Sequence, residues 1–514
     1  MTRPFRGKIE IDVRSSEQDW AAYTQASPPE GSPNVVILLW DDTGIATWDL
    51  FGGIVEVPNM KRIADRGLRY TQFHTTALCS PTRAALMTGR NPSSVGMNTI
   101  SEAAMGFPGL STHIPRSAAM ISEVLQERGW STFTAGKWHL TPTNEMNMAA
   151  TKDHWPSGRG FDRNYSFLGG ETNQWYPDLV EGNKMIDQPY PPEEGYHLSK
   201  DLVDQAITMI ADAKQVVPDK PFFLYLTPGA SHAPHHVAKE WADMFKGRFD
   251  DGYEQYAIDA VARMKAMGIV PESTDLAPMN SMADATNSAG VPWPESDHVL
   301  PWDELAEDHK KVFVRMAEVF AGFIAYTDHE LGRLLDFLEG MGEMDNTIFF
   351  VSSDNGASGE GSPVGSVNEN LFFNGIPDSI ENNLAQLDEL GSTATYNHYP
   401  TGWAQAFCAP YKMYKRYVHN GGICDPLIVS WPAQIEVHGE LRDQYCHVSD
   451  ITPTIYDLLG IEMPDTVKGH EQMPLHGVSF AHTFDDGDAA TNKETQFYGL
   501  LGTRSIWAGG WKAT

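Results

Sequence analysis

Five short apolar runs punctuate this chain, and four of them are followed at once by side chains able to do chemistry. VVILLW at 35–40 runs into Asp41 and Asp42, and STFTAG at 131–136 into Lys137 and His139. PFFLYLTP at 221–228 is followed by His232, and NTIFFVSS at 346–353 by Asp354 and Asn355. These run ends supply three carboxylates, an amide, a lysine and two histidines. Asp41, Asp42, Asp354 and Asn355 together offer the oxygen donors that a hard divalent cation, Ca2+ or Mg2+, requires. Without a cation, three carboxylates held in one buried place would repel and raise one another's pKa values. An Asp-Asp pair taken alone reads as a turn or a helix cap. The combined set reads as a metal site.

The segment Cys79-Ser80-Pro81-Thr82-Arg83 is the second centre of interest. Proline suits the first turn of a helix, and AALMTG continues beyond it. Cys79 is therefore expected at a helix N-terminus, where the macrodipole and free N–H groups favour an anionic nucleophile or a bound anion. The plain alternative is a small buried cysteine. Arg83 and Arg90, taken singly, read as surface charges.

Such residues need a frame that brings them together. In open parallel sheets, ligands bind beyond the carboxyl ends of the strands. The apolar runs, which include DPLIVSWP at 425–432, are continuous rather than alternating, as strands buried on both faces are. Helical stretches lie between them, most clearly at 312–341, which closes on Gly340-Met341-Gly342. The alternation predicts an α/β fold with a mostly parallel sheet. Residues 250–305, rich in Met, Pro, Asp and Ser, read as an insertion after a short helix. Residues 357–402, rich in Gly, Asn and Ser, read as loops over one face. No internal repeat is visible.

Composition narrows the function further. A formal net charge of −31 argues against a nucleic-acid partner and requires that any anion site be a local island of cations and metal. Four cysteines, with no metal-ligand spacing, are too few for a disulfide framework. The first 20 residues lack the apolar stretch of a secretory signal, so a cytoplasmic location is expected. No apolar run approaches a membrane span.

These residues resemble a known family. Cys79-Ser80-Pro81-Thr82-Arg83, followed by Thr88-Gly89-Arg90, resembles the C-x-P-x-R signature of type I sulfatases and its usual continuation. The other elements stand in family order: Asp41-Asp42-Thr43-Gly44, Gly136-Lys137-Trp138-His139, Ser231-His232-Ala233-Pro234, Ser353-Asp354-Asn355-Gly356, and Tyr414-Lys415 before Gly421-Gly422. The segment Asp450-Ile451-Thr452-Pro453-Thr454 is similar to a helix start near the end of the family's main domain. The resemblance runs from about residue 34 to the end of the sequence and is nearest to the bacterial arylsulfatase branch.

The resemblance implies an alkaline phosphatase-like fold: a large mixed, mostly parallel sheet sandwiched by helices, with a small C-terminal antiparallel subdomain. The corresponding segments are an N-terminal extension at 1–33, a catalytic domain at 34–470 and the start of the small subdomain at 471–514. It implies hydrolysis of small-molecule sulfate esters, with Cys79 oxidised to formylglycine by a separate maturation enzyme. Asp41, Asp42, Asp354 and Asn355, with residue 79 itself, match the ligands of one Ca2+, Mg2+ being the lesser candidate. Arg83 matches the residue that steadies the nucleophile, and Lys137 and Lys415 match sulfate-binding lysines. His139 matches the histidine that contacts the nucleophile. His232, seven residues after Tyr225, matches the one near the leaving oxygen, in preference to His235 and His236.

The sequence departs from the family pattern at Gly422-Ile423-Cys424-Asp425-Pro426, where the family often carries Arg, and at Thr43–Trp48. Gly510-Trp511-Lys512-Ala513-Thr514 resembles the first strand of the family's C-terminal subdomain, which would make that subdomain truncated here. Trp48, Trp175, Trp403 and Tyr396 are candidates for an aromatic pocket or for core anchors. The competing functions are hydrolysis of phosphonate monoesters or phosphodiesters on the same fold, and non-catalytic binding of a sulfated ligand.

Overall fold

The computed structural model describes residues 4–286 and 290–514. Ten strands form the central sheet: β1 (Asn34–Trp40), β2 (Gly67–Tyr70), β3 (Ser131–Lys137), β4 (Arg163–Phe167), β5 (Leu179–Glu181), β6 (Lys184–Ile186), β7 (Phe222–Thr227), β8 (Thr347–Ser353), β9 (Leu427–Ser430) and β10 (Glu440–Arg442). Their spatial order is β10-β2-β9-β8-β1-β7-β3-β4-β5-β6. The central run β8-β1-β7-β3-β4 is parallel throughout.

The continuous apolar runs follow from cover on both faces of the sheet. Side chains alternate across a strand, so Val36, Leu38 and Trp40 enter one core, and Val35, Ile37 and Leu39 the other. The first core is closed by α2 (Leu198–Val216) and α3 (Glu307–Gly340), which contributes Leu331, Leu334, Leu335 and Leu338. The second is closed in part by α1 (Cys79–Thr88) through Ala84, Ala85, Leu86 and Met87. The long helix starts at Glu307 rather than 312, because its polar first turn carries no apolar rhythm.

Register is what assembles the strand-end residues. Trp40 pairs with Ser353, so Asp41-Asp42 and Asp354-Asn355 leave the sheet side by side. Gly136 pairs with Thr227, so Lys137 emerges beside the segment leading to His232. The fifth run differs from its neighbours. β9 is antiparallel to both β8 and β2, so its carboxyl end points away from the others, and no chemistry follows it. Its amino end faces the shared edge instead, with Asp425 fully buried there.

The described part of the 250–305 segment holds one α-helix, Gly252–Ala266, and the short 3-10 helices Glu295–Asp297 and Trp302–Glu304, with Trp293 and Trp302 packed into the first core. The 357–402 segment is less purely loop than expected, holding the short helices Asn370–Phe373 and Ile380–Ala385 and, at its end, the start of Thr401–Phe407. A small antiparallel sheet follows: β11 (Thr495–Leu500), β12 (Thr503–Ala508) and β13 (Trp511–Ala513). The segment expected to be the first strand of this subdomain is its third. β11 and β12, with exposed and buried positions alternating, lack the continuous apolar run by which the sheet strands were read. Among the described residues no helix is long and apolar enough to cross a membrane.

Candidate active site

The carboxyl edge of the parallel strands gathers the four Asp and Asn side chains among the candidate metal ligands, and the fifth, Cys79, stands beside them. Asp41, Asp42, Asp354 and Asn355 are essentially unexposed. Asn355 Nδ2 donates to Asp42 Oδ1 at 2.6 Å, and the Asp42 N–H donates to Asp354 Oδ1 at 3.3 Å. Asp41 Oδ1 and Asn355 Oδ1 are buried without any hydrogen-bond partner. Buried oxygens in that state cost free energy unless something electropositive meets them. Asp41, Asp354 and Cys79 each present a donor atom within 4.8 Å of the others, so the donor set fits a cation. Burial, ahead of neighbouring charges, raises the pKa values of Asp42 and Asp354, the penalty that a bound cation would remove.

Cys79 opens α1, all ten residues of which are buried. Leu78 precedes it as an N-cap without a side-chain hydrogen bond, leaving first-turn N–H groups available to an anion. Arg83 is not the surface charge it resembles in isolation. It is fully buried, donating from Nε and Nη2 to Asp354 Oδ2 at 3.0 and 2.7 Å and from Nη1 to the Lys137 carbonyl at 2.9 Å. Burial opposes its charge, but Asp354 and the other anionic neighbours outweigh that and raise its pKa. Arg90 is also buried, binding the carbonyls of Thr88 and Met473 away from this cluster.

Two lysines face the carboxylates. Lys137 Nζ lies 2.5 Å from Asp41 Oδ2. Lys415 Nζ makes three contacts, with Asp42 Oδ2 at 2.9 Å, Glu360 Oε2 at 2.6 Å and His232 Nε2 at 3.1 Å. Both stay charged: burial disfavours the ammonium, but Asp41 for Lys137, and Asp42 with Glu360 for Lys415, raise their pKa values. His232 is the opposite case. Burial, then Lys415 and Lys137, hold it well below its ordinary value, so it is neutral. Its Nδ1 lies 2.6 Å from the Ala233 carbonyl, which can only accept. Nδ1 therefore carries the proton, and Nε2 presents its lone pair to Lys415. His235 stacks on Tyr399 and His236 meets the Thr395 carbonyl, so His232 alone of the three joins the cluster.

His139 is held from behind. Glu102 Oε2 lies 2.8 Å from its Nε2, leaving Nδ1 for the Cys79 side. Burial lowers its pKa, but Glu102 and then Cys79 lift it to about 9. Asp42 and His139 both adopt positive φ, 55° and 53°, a costly conformation for residues other than glycine. Gly136, at φ 107°, passes so close to the Thr227 carbonyl that a Cβ would sit 1.9 Å from its oxygen; only glycine lets the strand deliver Lys137 there.

Four carboxylates here were not read from the sequence. Glu102 and Glu360 partner His139 and Lys415. Glu171 accepts from the Tyr396 hydroxyl at 3.0 Å, and burial first of all lifts it to about 7. Glu369 is wholly buried with neither oxygen hydrogen-bonded, and burial, then Glu171 and Glu360, hold its pKa well above the usual range. All four lie outside strands, where no periodicity marks them. The candidate aromatics do not line the cleft above Cys79. Trp48 and Trp403 are core residues, Trp175 ties to the Gly391 carbonyl and Tyr396 to Glu171. Of the Phe, Tyr and Trp side chains among the described residues, Phe373 lines that cleft.

The fold and the strand-edge cluster define an α/β enzyme of the sulfatase type. The chain belongs to the sulfatase family, whose model matches residues 33–461. An uncharacterized sulfatase of Schizosaccharomyces pombe is 30% identical over 94% of this chain and 85% of its own. An arylsulfatase of Klebsiella aerogenes is 27% identical, covering 87% of this chain and 91% of its own. The crystal structure of Ps i-CgsB in complex with k-i-k-neocarrahexaose superposes with TM-score 0.61 at 20% identity, covering 94% of this chain and 83% of that one. Its likeness is one of fold. The four cysteines are free and buried.

Proposed function

We propose that the protein hydrolyses sulfate monoesters of the arylsulfatase kind, with Cys79 matured to formylglycine and one Ca2+ held by Asp41, Asp42, Asp354 and Asn355 together with residue 79. The observation that carries this reading is the convergence of two buried, charged lysines and a neutral histidine on the cysteine that opens α1. That arrangement suits a compact anion with an electrophilic centre. Oxidised and hydrated, residue 79 would supply two hydroxyls on one carbon, one to attack sulfur and one to let sulfate go. The cation would supply positive charge to the sulfate oxygens and acidity to the attacking hydroxyl.

The chain's own groups do the rest. Lys137 Nζ and Lys415 Nζ bind and orient the sulfate oxygens. Asp354 receives the proton of the attacking hydroxyl, and Arg83 holds that carboxylate in place. The leaving oxygen takes its proton from Lys415, directly or across His232 Nε2, because His232 is neutral and has no proton on that nitrogen. His139 Nδ1 takes the proton of the second hydroxyl, its ring oriented by Glu102. General acid–base help of this kind contributes about 10²–10⁴-fold per step.

The test is release of phenol from phenyl sulfate with calcium present, comparing wild type with Cys79→Ala, both co-expressed with a maturation enzyme, and with phenyl phosphonate as the competing substrate. Turnover of the sulfate that disappears in the variant is expected. Faster turnover of the phosphonate, or undiminished activity in Cys79→Ala, would overturn the proposal.

A further inference from the structure

The cleft above Cys79 has about 370 Å³ of space, and its walls are mostly apolar: Leu78, Ile100, Phe373 and the backbone of Gly169-Gly170. It is continued by a second cavity. That one, about 540 Å³, shares Gly169 and Glu171 with the first and lies against β5 and β6, the last two strands of the sheet. Met146, Leu168, Met185 and Ile186 give it an apolar lining, with Asp178 and Asp187 beside them. Methionine is adaptable and accepts apolar bodies of varied shape; Met185 is 52% exposed at this position.

Charge is distributed unevenly along this path. Among the described residues, Lys415 is the single lysine or arginine lining either cavity, and it sits at the sulfate end. Glu102, Glu171 and Glu360 line the first cavity, and Asp178 and Asp187 the second. A second sulfate or carboxylate on the substrate would face carboxylates with no cation to meet it. Like charges set against each other suppress wrong partners. An apolar chain would exchange water for methionine and leucine side chains.

We propose that the two cavities form one groove for the alcohol part of the substrate. The substrate class it fits is a monosulfate ester of an extended, mainly apolar alcohol bearing no second anionic group. This rests on the sulfatase reading and narrows it, setting polysulfated glycans outside the substrate range.

The groove is tested with a ladder of primary alkyl sulfates, from butyl to dodecyl, beside phenyl sulfate and a disulfated sugar. In wild type, kcat/KM is expected to climb about threefold to fourfold per methylene while the chain is entering the second cavity and then level off. Met185→Asp puts a carboxylate on the apolar wall, and the dodecyl-to-butyl ratio of kcat/KM is expected to fall at least tenfold. Asp187→Lys is expected to raise the rate on the disulfated sugar relative to phenyl sulfate. Phenyl sulfate turnover with a flat ladder, or a disulfated sugar as good as the long alkyl esters, overturns the groove and leaves the sulfatase reading standing. No turnover of any sulfate ester by the matured protein overturns both.

Discussion

Replacing Glu102 by Gln keeps the shape of the side chain and removes the charge that faces His139 Nε2 across 2.8 Å. Burial lowers the basicity of His139, and Glu102 followed by Cys79 more than reverses this, lifting it from 6.5 to about 9. A hydrogen bond to a charged group contributes about 1.5–3 kcal/mol. The Glu102 side chain is 44% exposed, so solvent screening cuts that to about 1–1.5 kcal/mol. At about 1.36 kcal/mol per unit, the substitution lowers the pKa of His139 by about one unit. The sign follows from the role. His139 must be neutral to take a proton, so kcat rises with pH through its pKa, and Glu102→Gln moves that acid limb about one unit lower while weakening the base at the plateau. The assay is kcat for phenyl sulfate across about pH 5–10, which reports groups in the substrate complex. A limb that stays in place while the whole profile scales down would refute the reasoning, because it would separate Glu102 from the titrating base.

Cys79→Ser has one hydroxyl where the matured residue has two, so it is expected to stall as a stable sulfated protein visible by mass spectrometry; rapid multiple turnover would sink the two-hydroxyl account. Asp354→Ala is expected to lose bound calcium and activity together. It also strips Arg83 of its main partner, at a cost of about 3–5 kcal/mol seen as a lower Tm; an active variant with full calcium content would remove Asp354 from the ligand set. Gly136→Ala drives a Cβ onto the Thr227 carbonyl, costing about 1–3 kcal/mol and displacing Lys137, with kcat/KM down on the order of 10²-fold. Calcium and inorganic sulfate are expected to bind cooperatively, because a cation on Asp41 and Asp42 competes with Lys137 and Lys415 for those carboxylates and turns the lysines toward the anion. Calorimetry should show sulfate affinity rising about fivefold or more with calcium, and equal affinities would refute the exchange.

What could be read from the sequence was what carries a local signature. A strand buried on both faces is a continuous apolar run, and a chemical residue directly after it stands out against that background. Parallel register then does the assembly, as Trp40 opposite Ser353 shows. The unread parts depend on distant partners. The reversed direction of β9 leaves no mark on its own four residues. Arg83 looks like any surface arginine until Asp354, 271 positions away, is placed beside it. Glu102 and His139 are 37 positions apart, and Glu360 and Lys415 55 apart, with Glu102 on a single 3-10 turn and Glu360 in a turn, where no periodicity shows. The large aromatics were ambiguous because a tryptophan looks the same in sequence whether it fills a core, as Trp403 does, or lines a cleft.

Net charge shows the same division between what is local and what is assembled. The chain carries a formal net charge of −31, so positive charge at this site has to be placed residue by residue. Lys137, Lys415 and Arg83 are all buried and all engaged by carboxylates. Positive potential at this site is therefore conditional. It appears only when the aspartates have something other than lysine to hold, and it extends no further than the reach of two ammonium groups. One step along the groove the walls are carboxylate again at Glu171, Asp178 and Asp187. With the groove proposed above, an anion site built this way would accept one sulfate and oppose the next, a selectivity arising from the placement of the cations rather than from their number.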